Sequence, residues 1–338
     1  MTHLEASDRT APTPAGTFAA DYEAVTHAAG VRILDERRIV RVVGDDRATF
    51  FHGMTSADVK SAKPGDVLPA LILTEHAHVI ADLFIWVAAD ALLLDIDSDA
   101  WERARAHLER LLVADDVEFE DESGLRVVDV EGPRAIEAAR LVGGAAASSL
   151  GEWRFVSIGE LFVANLPRVG GPAISILAPK VRVEADVAKI LAAVHNSRLV
   201  SADAIEAIRI EHGVARIGVD TLDKTLALEA RLDRAISLGK GCYVGQETIE
   251  RATARGALKK RLLGLKFADA RGATVGAAVI LAGKEVGRVT SVVQAPRLGA
   301  IGLALLHHSS WAAGTEVSVE SGGGTGRAIV SELPFAQD

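Results

Sequence analysis

The sequence predicts an α+β fold: two α+β units in succession, then a β-rich C-terminal domain. Three observations predict it. A block of strand, helix, hairpin and helix is followed, from Gly124, by a second block in the same order. Past Gly256 the helical periodicity fades, and short β-branched runs separated by Gly and Pro take over. The 338 residues are 49% hydrophobic and 25% charged, which supplies a large core and excludes disorder for most of the chain.

The opening stretch "MTHLEASDRTAPTPAG" reads as part of a flexible tail over residues 1–20. It has neither the basic nor the apolar region of a secretory signal. "RIVRVVG" (38–44) is a β-branched run ended by glycine, and "DDRATFFHGM" opens with a carboxylate able to cap a helix. "HVIADLFIWVA" and "ALLLDID" are apolar strands joined through Ala89 and Asp90. Asp99 with Glu102 three residues on forms a capping box for "AWERARAHLERLL".

In the second block "GLRVVDVEG" is a strand, Pro133 sits where a helix takes it as its first residue, and "RAIEAARLV" has helical spacing. "EWRFVSIGELFVANLPRVGGPAISILAP" reads as strands broken by Gly and Pro, and "EADVAKILAAVHN" as a helix. Ser201 or Asp203 caps a last helix, "AIEAIRIEHG", which Gly213 ends. The expected plan is a tail (1–20), two interleaved α+β units (21–256, boundary near 124–131) and a small β-barrel or sandwich (257–338).

A formal charge of −9 argues against general binding to nucleic acid or to anionic membranes, both of which need a basic face. The single cysteine cannot form an internal disulfide, and no apolar run is long enough to span a bilayer. A cytoplasmic setting is the expectation.

That cysteine, Cys242, stands in "KGCYVGQETIER" (240–251), just before a helix start and two residues from Lys240. Such a setting favours the thiolate. The same residue also fits the role of a small buried apolar group. Gly239, Gly241 and Gly245 require a backbone that takes unusual dihedrals or closely approaches something. The Gly239-Lys240 pair is followed by glycine, not Ser or Thr, so no magnesium-holding phosphate loop is present.

Glu211, in "RIEHGVARIGVD", lies in a helix's last turn, where a carboxylate opposes the macrodipole unless a donor offsets it. An exposed glutamate beside Arg209 reads equally well. "RATARGALKKR" (251–261) has five basic residues and no acidic one, and suits either an anionic ligand or a solvated linker face. Ten scattered histidines and one cysteine support no metal site, although His76 and His78 share a strand face.

"KGCYVGQE" (240–247) resembles the signature of the YgfZ-type folate-binding proteins, relatives of the glycine-cleavage T-protein (aminomethyltransferase, GcvT). "RIEHGVARIGVD" and "LALEARLDRAISLGKGCYVGQETIER" resemble that family's central segment, and "FFHGMTSADV" its N-terminal one. With "LTEHAHVIADL" and the β-rich end, the likeness covers roughly residues 30–335.

The resemblance implies two ferredoxin-like α+β units and a C-terminal β-barrel, arranged as a three-domain ring around a central channel for tetrahydrofolate or a related reduced folate. It implies Glu211 as the carboxylate that bonds the pterin's paired N–H donors. It places Tyr243, Gly245 and Gln246 in folate binding, and Cys242, with Lys240, as a reactive thiol; Arg251, at the head of the basic stretch, is added as a contact for the folate's glutamate tail by inference from its charge and not by the resemblance.

The T-protein uses an aspartate that follows an "NA" pair after a strand. Here the strand end reads "LLLDIDSDAWERA", with Asp95 where the asparagine would stand and Glu102 near the catalytic position. Asp97 or Asp99 supplies the carboxylate only on a shifted alignment. The implied function is therefore support of iron-sulfur cluster assembly or repair, and through such enzymes tRNA modification. Aminomethyl or other one-carbon transfer is the alternative, and a non-catalytic docking scaffold the second. The implied partners are folate and iron-sulfur proteins or their assembly machinery, with the protein a monomer or weak oligomer.

Overall fold

The computed structural model describes residues 15–222, 224–255, 258–268 and 273–335. Helix α1 (Ala15–His27) starts inside the stretch read as tail, so residues 15–20 are helical; the rest of that reading lies outside the described residues. The junction expected at 256–257 also lies outside them.

β1 (Gly30–Leu34) and β2 (Arg37–Val43) precede α2 (Arg47–Met54), the hairpin β3 (Val67–Leu73) and β4 (Val79–Val87), then β5 (Leu92–Asp97), α3 (Ser98–Leu111) and β6 (Glu118–Asp121). β3-β4-β5-β2-β6 make one sheet. α2 and α3 cover one face of it, burying Phe50, Phe51, Trp101 and Leu108 against Ile72, Leu83, Ile85 and Leu94. The N-cap of α3 is Asp97, whose side chain accepts from Asp99 N at 3.0 Å, and not Asp99. The helix starts two residues earlier than its charge pattern implied, because strand β5 ends directly in the cap.

β7 (Leu125–Glu131), α4 (Ala135–Ser148), β8 (Arg154–Ile158), β9 (Leu161–Asn165), β10 (Ala173–Pro179), α5 (Lys180–Ala193), β11 (Arg198–Leu199) and α6 (Ala202–His212) form the second unit. Pro133 lies before α4, which begins at Ala135 with Arg134 at its cap. The second sheet runs β11-β1-β7-β10-β9-β8, so β1 crosses over to pair with β7 and β11 and the units interleave. α4 and α5 cover its outer face. The inner faces of the two sheets meet through Phe84, Trp86, Leu93, Val127, Phe155 and Leu177. Apolar surface removed from water is worth about 25 cal/mol per Å², so these inner faces contribute to the cohesion of the two units.

After turns over 213–245 and α7 (Gln246–Arg255), β12 (Lys260–Phe267), β13 (Ala278–Leu281), β14 (Lys284–Ala295), β15 (Gly299–His307), β16 (Glu316–Ser321) and β17 (Gly324–Ser331) close a six-stranded barrel, as the short Gly-punctuated runs predict. The barrel and the C-terminal segment pack on α6 through Ile210, Leu262, Leu303, Leu333 and Phe335. Gly213 is required there for two reasons: its φ is +67°, and a Cβ would stand 2.6 Å from Leu333 Cβ.

Candidate functional site

A cavity of about 370 Å³ opens where the two sheets, α6 and the segment 214–235 meet. Its wall combines basic groups (Arg37, Arg168, Arg209, Arg234), carboxylates (Asp82, Glu206) and apolar faces such as Phe84. The start of α3 contributes Asp97, Asp99 and Arg103.

The sheet side of this wall is held by a buried chain of charges. Arg37 Nε donates to Asp95 Oδ1 at 2.7 Å, Arg168 Nη2 to Asp95 Oδ2 at 2.7 Å, and Arg168 Nε to Asp129 Oδ2 at 2.8 Å. Ser175 Oγ donates to the other oxygen of Asp129. The Arg168 guanidinium also lies 4.7 Å from the Phe84 ring centroid, a cation–π distance. Burial alone would raise the Asp95 pKa, but Arg168 and Arg37 outweigh it and hold the carboxyl below its usual range. Burial likewise opposes the charge of Arg168, and Asp129 and Asp95 outweigh it. Beside them Glu131 is pushed up to about 8 by burial and then by Asp129, against Arg32 and Arg168. It carries a proton at neutral pH, and its Oε1 has no hydrogen-bond partner among the described residues.

The α6 side is held by a second buried arginine. Arg209 Nη1 meets Asp220 Oδ2 at 2.6 Å, its Nη2 donates to Ser291 Oγ at 2.8 Å, and its Nε donates to Glu206 Oε2 at 2.9 Å. Asp220 Oδ1 accepts from Thr290 and Ser291 of β14 at 2.5 and 2.7 Å. One guanidinium therefore ties α6, the following segment and the barrel to the cavity wall.

Glu211 is elsewhere. It is 2% exposed and accepts from Tyr22 Oη of α1 at 2.7 Å. It shares its helix face with Ala204, Ala207 and Ile208, whereas Ile205, Glu206 and Arg209 line the cavity. Burial raises its pKa, opposed by the Tyr22 hydrogen bond and Arg297. Tyr22, in turn, is raised by burial and by Glu211.

Cys242 is exposed and lies outside the cavity wall, in the turn packed against α2. Lys240 O accepts from His52 Nε2 at 2.8 Å, which puts the ring hydrogen on Nε2. His52 Nδ1 is 3.2 Å from Asp58 Oδ1. Lys240 Nζ donates to His52 O and stands 4.6 Å from the Tyr243 ring centroid. Burial pushes the Lys240 amine down to about 8, with Asp58 opposing and Lys60 adding to the shift.

Gln246 accepts from Tyr243 N at 3.2 Å and donates to Glu250 at 2.5 Å, so its amide serves the start of α7. Arg251 pairs with Glu247 on the exposed side of that helix. Gly245, at φ +88°, passes Thr74 O so closely that a Cβ would stand 2.7 Å away. The structure thus gathers Lys240, Cys242, Tyr243, Gly245 and Gln246 on one loop, and places Glu211 apart from them.

Of the T-protein-like carboxylates, Asp95 is wholly buried in its two ion pairs. Glu102 faces outward to Arg38 at 3.3 Å. Asp97 and Asp99 reach the cavity. The rings of His76 and His78 lie 6.2 Å apart, and among the described residues no three His, Cys, Asp or Glu side chains cluster as a metal site. In the basic stretch, Gly256 and Ala257 lie outside the described residues.

Sequence reasoning missed the wall residues Arg37, Asp82, Arg168 and Arg209. A signal existed for some of the network: Asp82 is the one charged residue of its strand, and Asp95 and Asp129 each follow a run of apolar residues, where a carboxylate persists when buried only if paired.

Two sheets face to face with outer helices, a closed barrel and a charged cavity beside the sheets define a three-part α+β and barrel scaffold, and sequence matches agree on which one. Residues 12–240 match the GCVT N-terminal domain and residues 260–337 the glycine cleavage T-protein C-terminal barrel domain. The chain belongs to the glycine cleavage T-protein family. A chloroplastic protein of Arabidopsis thaliana described as a transferase is 29% identical, over 88% of this chain and 68% of its own length. An aminomethyltransferase of Nostoc sp. is 26% identical, over 93% and 86%. The crystal structure of the glycine cleavage system aminomethyltransferase T from Bartonella henselae superimposes with a TM-score of 0.85 at 20% identity, covering 95% of this chain and 90% of that one, and so supports the fold. Among the described residues no helix is long and apolar enough to cross a membrane.

Proposed function

We propose that this protein is a cytoplasmic binder of tetrahydrofolate, or of a related reduced folate, of the YgfZ type. Its task is to support the assembly or repair of iron-sulfur proteins. The observation that carries the folate part is the cavity wall. Carboxylates at Asp82 and Glu206 suit the paired N–H donors of an aminopyrimidinone, Phe84 and Ile205 suit its faces, and the arginines suit a carboxylate-bearing tail. Glu211 gives one oxygen to Tyr22 and keeps the other for a pterin donor, although it lies outside this wall.

The exposure of Cys242, away from the cavity, favours exchange with a protein partner over attack on a folate-borne carbon. In such an exchange the Cys242 thiolate attacks the outer sulfur of a partner's persulfide; a new persulfide forms on Cys242 and the partner leaves as a thiolate, with no net oxidation.

Titration calorimetry with tetrahydrofolate under reducing conditions tests the ligand. Saturable binding, weakened by Asp82→Asn and Glu206→Gln, is expected; no binding by the unaltered protein refutes it. Rescue of an iron-sulfur enzyme in cells lacking the protein tests the thiol, and equal rescue by Cys242→Ala removes it from the mechanism.

One observation favours a second reading, aminomethyl transfer: Asp97 and Asp99 line the cavity. That reading requires ammonia release and methylene-tetrahydrofolate formation from an aminomethyl donor, abolished by Asp97→Asn or Asp99→Asn. Asparagine caps helices about as well as aspartate, so the first variant keeps α3.

A further inference from the structure

The segment from Leu232 to Gly245 starts in the cavity wall and ends against β3, with Cys242 near its far end. Leu232, Arg234 and Ala235 line the cavity, and Gly245 lies so near Thr74 O that a Cβ would stand 2.7 Å from it. Between these points the segment is pinned to one short stretch, the last turn of α2 and the turn that follows. Ser237 N donates to Ser56 O at 2.9 Å, Asp58 N to Ser237 Oγ at 3.2 Å, and Val244 N to Gly53 O at 3.1 Å. Lys240 and His52 bond twice, Lys240 Nζ to His52 O and His52 Nε2 to Lys240 O. Carbonyls in a helix's last turn lack partners within the helix, so the loop that carries Cys242 doubles as a cap for α2.

Ser56 joins this platform to the cavity. It is wholly buried. Its Oγ donates to Ala235 O at 2.5 Å and accepts from Leu71 N at 2.8 Å, and its N donates to Leu71 O at 3.0 Å. Leu71 and Ala235 both line the cavity. One residue thus holds a wall position on β3, a wall position on the 3-10 turn Asp233–Ala235 and, through its carbonyl, the root of the thiol loop. Out of water, Ser56 cannot replace a lost bond with a solvent one, so a shift at either wall position is resisted at the loop as well. From the far side, Arg234 Nη1 and Nη2 donate to Pro167 O and Arg168 O at 3.4 and 3.1 Å, which ties the same turn to the second unit.

We propose that Ser56 is a positioning residue that couples the cavity to the Cys242 loop, so that a ligand seated against Leu71, Leu232 and Ala235 suppresses opening of residues 236–244. The proposal rests on folate binding in the cavity, and it joins the two halves of the proposed function: a partner at the thiol meets a firmer loop when folate is bound. A ligand that fixes the wall fixes two of the atoms Ser56 holds, and the loop then opens only by breaking bonds whose other ends no longer move. Coupling of this kind is reciprocal, so a docked loop also raises ligand affinity by the same factor.

Amide hydrogen exchange on the full chain, with and without saturating tetrahydrofolate under reducing conditions, tests it. The ligand is expected to slow exchange at Ser237 and Val244 about tenfold relative to the amides of β16 and β17, which lie outside the cavity wall. In Ser56→Ala the slowing should shrink to under about twofold at renewed saturation. His52→Gln keeps an N–H donor for Lys240 O and leaves Ser56 in place, and should keep the slowing. Binding without slowing at Ser237 and Val244 overturns the proposal, as does slowing shared equally by β16 and β17 or slowing that survives Ser56→Ala. Failure of tetrahydrofolate to bind refutes the folate reading instead, and the coupling is then read without ligand. Arg234→Gln frees the wall turn from Pro167 and Arg168 and should speed exchange at Val244, by an amount that is not additive with Ser56→Ala. Unchanged exchange at Val244, or additive effects, overturns the coupling.

Discussion

The cavity wall and the loop around Cys242 solve opposite problems. The wall is assembled from β2, β4, α3, α6 and the segments between them, and its charged groups are fixed by buried pairs such as Arg168 with Asp95 and Asp129. The loop is one continuous stretch of turns, bent by Gly239, Gly241 and Gly245 at positive φ, with its thiol in solvent. In the proposed function the wall receives one rigid ligand and the loop meets a partner. The stretch that resembles the YgfZ-type signature lies in the loop, whereas the charged groups around the cavity lie in the wall.

The comparison predicts that the wall is expensive to alter and that the loop is so only where Gly245 packs on Thr74. Arg168→Ala leaves two carboxylates buried without their shared guanidinium and should cost about 3–5 kcal/mol, read as a lower denaturant midpoint. A loss below about 1 kcal/mol would mean that water enters this interface readily.

Gly245→Ala should cost about 2–3 kcal/mol, because it adds a backbone clash with Thr74 O to the strain of a positive φ. Gly239→Ala, at φ +80° in open space, should cost about 1 kcal/mol. Equal costs would show that the loop does not press on β3. Cys242→Ser should stay within about 0.5 kcal/mol of the unaltered protein, and the native thiol should react with iodoacetamide without unfolding.

The two regions also titrate with opposite sign. Glu131, held at about 8 against an unfolded value of 4.5, keeps its proton when folded, so its contribution is full below 4.5 and is lost as pH rises from 4.5 to 8. Lys240, lowered to about 8 from 10.5, binds its proton less well when folded, so stability rises as pH rises between 8 and 10.5. Glu131→Gln should flatten the first slope and Lys240→Met the second in denaturant melts across pH. The Lys240 slope is the smaller effect, because that amine is only half-buried.

Much of the fold was legible from local pattern. The β-branched runs, the C-terminal barrel with its Gly turns and the Gly213 cap follow from propensity and from dihedral demands that act within a few residues. The error at α3 is of the same local kind: Asp97 and Asp99 are both good caps, and the abrupt end of β5 chose between them. The interleaving of β1 into the second sheet was only partly legible, since pairing with β7 joins residues about a hundred positions apart.

The sequence by itself determined which segments are strands and helices, the glycine-bent shape of the Cys242 loop and the family to which the chain belongs, because each is written in contiguous residues. Only the tertiary structure decided which charges meet. Asp95 became a buried ion-pair partner and Glu211 a partner of Tyr22, while Asp82, Glu206 and Arg168 became cavity wall. A charged side chain's role depends on what else is brought out of water beside it, and that is set by packing between elements distant in the chain.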